Sequence, residues 1–159
     1  MVTYVRVLPP REAVGATLGE AIRLDHEARR KTRQRVATES GLEAALFLPR
    51  GTVLRAGDRV VAGDGRSAVI TAADEALSVV RSGDPVLLAR AAFHLGNRHA
   101  TIMIEPGCIS YPTDAVLDDM LRGLGFLPEA VHGPFEPEDG AYVFVFDAAV
   151  GGVGGTWIP

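Results

Sequence analysis

Hydrophobic and polar positions alternate with a period of two through short stretches of the first half of the chain, then recur with a helical period in the second. Tyr4–Leu8 alternates and predicts a strand ended by Pro9-Pro10, and Ala21–Leu24 predicts a second; residues 11–20 carry no clear pattern. Gly41, Gly51, Gly57, Gly63 and Gly65 then fall at turn spacing. Between them lie the β-prone pieces Glu43–Phe47, Thr52–Leu54 and Arg59–Ala62, and Asp64-Gly65 is a hairpin signal ahead of Ser67–Thr71. These features predict a small all-β module, with a change of pattern at Ala72–Glu75.

Beyond that point the expected order is strand Leu77–Arg81, helix Pro85–Leu95, strand Thr101–Glu105, strand Cys108–Tyr111, helix Thr113–Leu124 and strand Glu129–Gly133. This is βαββαβ, the ferredoxin-like pattern. Asp84 suits an N-cap and Pro85 the first helical position, where a missing N–H costs nothing. Val86, Leu87, Ala91, Phe93 and Leu95 supply an apolar face, and Gly96 is a natural left-handed stop that leaves Arg98 and His99 projecting from the turn. Thr113 or Asp114 caps the second helix and Gly125 ends it. Asp114, Asp118 and Asp119 suit the helix dipole, while Val116, Leu117, Met120, Leu121 and Leu124 form its core stripe. The fold expected is therefore α+β, with an all-β domain over residues 1–73, a ferredoxin-like domain over 74–140 and a flexible Gly-rich tail over 141–159 after the strand-like Tyr142–Phe146. Gly151–Gly155 is no phosphate loop: no Lys-Ser/Thr follows and the dinucleotide-binding spacing is missing.

Composition narrows the function. With 47% hydrophobic and 23% charged residues the 159-residue chain can bury a core. Its net charge of −4 divides unequally, +3 over residues 1–81 and −7 over 82–159. The acidic second half is a poor nucleic-acid binder and a fair host for cations. The sequence shows neither a signal-peptide pattern nor an apolar run long enough to span a bilayer, so the expectation is a cytoplasmic protein with no membrane or nucleic-acid partner. Arg29, Arg30, Lys31, Arg33 and Arg35 form a basic run that reads either as a solvated strand edge or as a docking face for an acidic or phosphorylated partner.

Candidate chemistry is sparse. Lone Cys108 excludes an internal disulfide and any zinc site needing two cysteines from one chain. Of the four histidines, His94 and His99 are five apart across a helix end, poor spacing for one metal, and His94 falls on the core side. His26 reads as a surface turn residue. His99, beyond the glycine stop, has a rigid yet near-surface position suited to a ligand or a switch. No hydrolase or zinc-protease motif is present, and adjacent Asp118 and Asp119 point apart on a helix, so an enzyme is not expected.

The run Ala92-Phe93-His94-Leu95-Gly96-Asn97-Arg98-His99 closely resembles the signature of the urease accessory nickel metallochaperones, the UreE family. Leu46–Gly51, Leu54–Asp58, Val116–Arg122 and Pro134–Glu138 resemble further blocks of that family in the same order. The resemblance implies a nickel carrier that delivers Ni2+ to apo-urease together with the other urease accessory proteins, including a GTPase. It implies a homodimer, or a dimer of dimers, in which His99 of each protomer is the principal ligand at the interface of the C-terminal domains. The first domain would engage protein partners.

One imidazole cannot hold a divalent ion tightly, but a residue near a twofold axis meets its own copy. Two imidazoles plus water suit nickel, and equally zinc or copper. His132, Asp114 and Cys108 are weaker candidates; a buried cysteine is more often a small hydrophobe. Asp114 stands where some family members carry a His-x-His pair, and the chain ends Gly-Gly-Thr-Trp-Ile-Pro rather than in histidines, so about one ion per dimer is expected on that comparison. The alternative is a protein-interaction module with incidental histidines.

Overall fold

Strand patterns of alternating burial account for the N-terminal half of the molecule. In the computed structural model, which describes residues 1–10 and 19–139, β1 (Val2–Leu8), β2 (Glu20–Leu24), β3 (Arg33–Ala37), β4 (Glu43–Phe47), β5 (Arg59–Ala62) and β6 (Ser67–Ala72) form one mixed sheet ordered β2-β6-β5-β1-β4-β3. Ala44 and Leu46 on β4, Val60 and Ala62 on β5, and Ala68 and Ile70 on β6 alternate inward and meet Tyr4, Ile22, Leu24, Leu48 and Leu54 in one core. The β5–β6 hairpin turns through Gly63-Asp64-Gly65, with Gly65 at φ 86° and its N–H bonded to the Ala62 carbonyl, which matches a three-residue loop closed by a left-handed glycine. Pairings distant in sequence complete the sheet: β1 lies parallel to β4 (Tyr4 opposite Leu46), and β2 parallel to β6 (Ile22 opposite Ile70). Thr52–Leu54 is not a strand. It is a turn in which Thr52 N–H bonds Pro49, and Leu54 is buried with its N–H on the Arg29 carbonyl.

The second half is βαββαβ: β7 (Asp74–Arg81), α2 (Pro85–Gly96), β8 (Met103–Glu105), β9 (Cys108–Pro112), α3 (Ala115–Gly123) and β10 (Glu129–Pro134), with α1 (His26–Arg29) the short helix between β2 and β3. The sheet order β10-β7-β9-β8 is that of a ferredoxin-like unit, so the α+β architecture is as the sequence pattern indicates. Val80, Ile109 and Tyr111 on one face pack against Ala91 and Leu95 of α2 and Leu121 of α3. Asp84 caps α2 by accepting the Val86 N–H at 2.8 Å. Asp114, rather than Thr113, caps α3, accepting from Val116 and Leu117 at 2.8 and 3.1 Å. Gly125, at φ 90°, follows the end of α3. The strand-like Tyr142–Phe146 and the Gly-rich tail lie outside the described residues.

Which apolar residues face inward differs from the expectation on both helices. The buried stripe of α2 is Leu88, Ala91, Ala92 and Leu95, at spacings of three and four, whereas Val86, Leu87 and Phe93 are exposed. On α3, Leu117, Met120 and Leu121 pack inward; Val116 and Leu124 do not.

The basic run also divides. β3 is a sheet edge with Arg33 and Arg35 exposed, Arg33 lying 4.4 Å over the Phe47 ring, but Arg29 is 1% exposed. Its guanidinium donates to the Phe135 carbonyl and pairs with Glu136, just beyond β10. Arg55 adds bonds to Glu136 (3.4 Å), to the Pro137 carbonyl (3.1 Å) and to Asp139. His26, far from being a plain surface residue, is half-buried here, edge-on to Phe135 at 5.6 Å, with Nε2 buried and unpartnered. Its backbone N–H donates to Glu75 at 2.7 Å. These contacts join the two sheets.

Candidate metal site

The helix bearing the histidine signature does not stop at Gly96 in a left-handed turn. Asn97 N–H still closes a helical bond to Phe93 O at 3.0 Å, and the reversal comes two residues later. Ala100 N–H reaches back to Leu95 O at 3.1 Å and His99 N–H to Gly96 O at 2.9 Å. This 6→1 and 5→2 pair is a Schellman end, and its left-handed position is His99, at φ 54°. Among the described residues His99 is the one non-glycine with positive φ. Histidine enters that region more readily than most residues but still at a cost, so more than local preference holds it there. Ala100 and Ile102 supply part of the hold by packing on the core beside Leu95.

His99 is exposed, and so are Gly96, Asn97 and Arg98 before it. The outward side of α2 that leads to it carries two large apolar residues, Val86 59% and Phe93 63% exposed, seven residues apart and so on one side of the helix, with exposed Arg90 between them. His94 is half-buried and edge-on to Phe93 at 5.3 Å, as expected of a structural, partly buried imidazole. Val86 and Phe93 fall outside because Leu88, Ala91, Ala92 and Leu95 already fill the inward side of the helix.

The register places the other candidates. β7 runs antiparallel to both β9 and β10, with Leu77 opposite Pro112 and Ala76 opposite His132. α2 returns from the far end of β7, so His99, Asp114 and exposed His132 all lie toward the end where β7 begins. Cys108, opposite Arg81, lies at the other end. It is buried, with Sγ 3.9 Å from a Glu105 carboxylate oxygen. Asp114 uses one carboxylate oxygen for its cap. Among the described residues no three His, Cys, Asp or Glu side chains converge on a point that could hold a metal. Among the described residues one chain therefore presents separate candidate side chains at one end of a sheet rather than a closed cage.

Near them, Tyr111 is buried and donates to Asp118 at 2.7 Å; burial first, and that carboxylate second, raise its phenol well above the ordinary range. Tyr111 thus anchors α3 to the sheet. No helix among the described residues is long and apolar enough to cross a membrane.

Comparison with known proteins agrees with this architecture. Residues 6–73 match the family model of the UreE urease accessory protein N-terminal domain, and residues 75–150 that of its C-terminal domain. A urease accessory protein UreE of Pseudomonas putida strain W619 is 50% identical over 137 residues, covering 86% of this chain and 85% of the relative. That of Pseudomonas putida strain GB-1 is 52% identical over 122 residues, covering 76% and 74%. That of Burkholderia pseudomallei strain K96243 is 44% identical over 145 residues, covering 89% and 71%. With both halves matched by the two domain models, the chain belongs to the UreE family of urease accessory proteins, accessory factors rather than catalysts.

Proposed function

We propose that the protein is a cytoplasmic nickel carrier that delivers Ni2+ to apo-urease during active-site assembly, holding the ion between His99 of two protomers. The observation that carries this reading is the exposed imidazole fixed in a left-handed helix end beside the outward apolar residues Val86 and Phe93. An apolar pair of that kind calls for a cover, and a second copy related by a twofold axis would cover it while bringing His99 to its own twin. Two neutral imidazoles with water complete a seat that binds an ion well enough to load and weakly enough to release. Zinc and copper fit the same donors. Asp114 and His132 lie toward the same end and would be secondary ligands; Cys108, buried at the other end, would be the least accessible.

In this reading residues 74–140 bind metal and dimerise, while residues 1–73 engage apo-urease and the other accessory proteins, a GTPase among them. The exposed Arg33 and Arg35 on β3 would face an acidic partner. Titration with nickel of the wild type and of His99→Ala tests the proposal: the wild type takes about one ion per two chains and the variant loses that site. Equal binding by both, or by neither, sinks it.

A further inference from the structure

The segment Phe135–Asp139 leaves β10 and crosses to the opposite edge of its own sheet, where it bonds the loop between His99 and β8. Glu138 N–H donates to the Ile102 carbonyl at 2.8 Å, and Glu136 N–H approaches Met103 Sδ at 3.3 Å. The same five residues are gripped from the N-terminal sheet. Arg29 holds the Phe135 carbonyl and the Glu136 carboxylate, Ala56 N–H bonds Glu136 at 3.1 Å, and Arg55 reaches Glu136, the Pro137 carbonyl and Asp139. Ile102 is three residues from His99, and the intervening Ala100 carries the 6→1 bond that closes the left-handed turn.

We propose that this strap is a positioning device: Arg55 and Glu136 are positioning residues that hold the loop Ala100–Ile102, and through it the strained backbone of His99, in the geometry of the metal seat. The inference rests on the reading of His99 as the ligand. It also supplies what the left-handed histidine requires, a constraint from outside the helix. It makes the N-terminal sheet part of the seat's construction. A partner that drew Arg55 away from the strap would loosen the turn, and with it the grip on the ion. Coupling of this kind needs no contact between the partner and His99.

Arg55→Gln releases one side of the strap while leaving the buried Arg29–Glu136 pair. Glu138→Pro leaves the arginine contacts and deletes the N–H that holds Ile102. Amide hydrogen exchange is followed on the metal-free protein, and nickel release to a chelator on the loaded one; Arg81→Gln, whose charge pairs with Glu129 on the surface, is the control. Both strap variants are expected to speed exchange of the His99 and Ala100 amides by roughly three- to tenfold, the scale of a lost local hydrogen bond. The Val80 amide in the core should change far less, and nickel release should quicken in parallel. Unchanged His99 and Ala100 exchange, or an equal change at every amide, overturns the strap whatever nickel does. Faster local exchange with unaltered nickel release overturns the strap's part in the metal seat, while loss or retention of nickel binding in His99→Ala decides the ligand role separately.

Discussion

Replacing His99 by glycine isolates the cost of its backbone conformation. Holding an L residue at φ 54° costs roughly 1–2 kcal/mol relative to a right-handed conformation. Glycine removes that cost but gives back roughly 0.5–1 kcal/mol through its greater freedom in the unfolded chain. The balance is a stabilisation of about 0.5–1 kcal/mol, or a rise in Tm of roughly 1–4 °C for a chain of this length. Alanine has no such benefit: it keeps the strain and lacks histidine's tolerance of the left-handed region, so His99→Ala melts at or slightly below the wild type. Thermal unfolding of the three proteins in the presence of a chelator makes the comparison free of bound metal. The expected order is Gly above wild type, with Ala at or below it, while both variants lose the nickel site. A glycine variant that melts below the wild type would refute the reasoning, because it would mean that the imidazole itself stabilises the fold and that its placement needs no functional explanation.

Phe93→Asp places a charge in the outward stripe of α2; burying a side chain of this size is worth about 1.5–3 kcal/mol, and in a twofold dimer it counts twice, so dimer dissociation should rise by about 10²–10⁴-fold, read by sedimentation at micromolar protein with circular dichroism unchanged. Unaltered self-association would place the interface elsewhere. Glu136→Ala removes the carboxylate paired directly with the Arg29 guanidinium, 1% exposed, and leaves it only the longer-range charges of Glu75 and Asp25. Since the Glu136 side chain is 32% exposed, the loss should fall toward the lower end of the 3–5 kcal/mol typical of broken buried pairs, about 3 kcal/mol by urea unfolding, and adding Arg29→Met should recover most of it. At the same junction His26 is held below its ordinary value of 6.5, chiefly by burial and then by the charges of Arg29, Arg30 and Arg55, against which Asp25 acts weakly. The folded state then binds fewer protons than the unfolded one, so stability falls as pH drops below 6.5 and the loss levels off once the folded value is passed. Urea unfolding of His26→Phe across that window should lack this slope; an identical slope in both proteins would assign it to other groups.

The C-terminal unit was readable because its signals are local. Asp84-Pro85, Asp114 and Gly125 each mark an element boundary through a bond or a φ value that depends on a few neighbouring residues. The order of the N-terminal sheet was not, since the parallel β1–β4 and β2–β6 pairings join residues more than forty apart in the chain, as between Tyr4 and Leu46, and no local pattern encodes them. Periodicity also failed to say which side of α2 is inside. Val86, Leu87 and Phe93 are as apolar as the true core residues Ala91 and Leu95, and a helix apolar on two sides reads as one broad face. Arg29 and His26 were hidden for a different reason: in a run of arginines nothing local distinguishes the one whose partner, Phe135, lies 106 residues ahead. Gly96 was the natural stop, yet the reversal falls on His99, because packing of Ala100 and Ile102 and the strap beyond them decide where the helix ends.

A crystal structure of the nickel-loaded protein tests the central claim most directly. The expected result is a dimer with one ion on its twofold axis, bonded to a ring nitrogen of His99 from each protomer, with Val86 and Phe93 of α2 buried between them. An ion bound within a single chain, or a dimer that keeps the two His99 rings far apart, would contradict it.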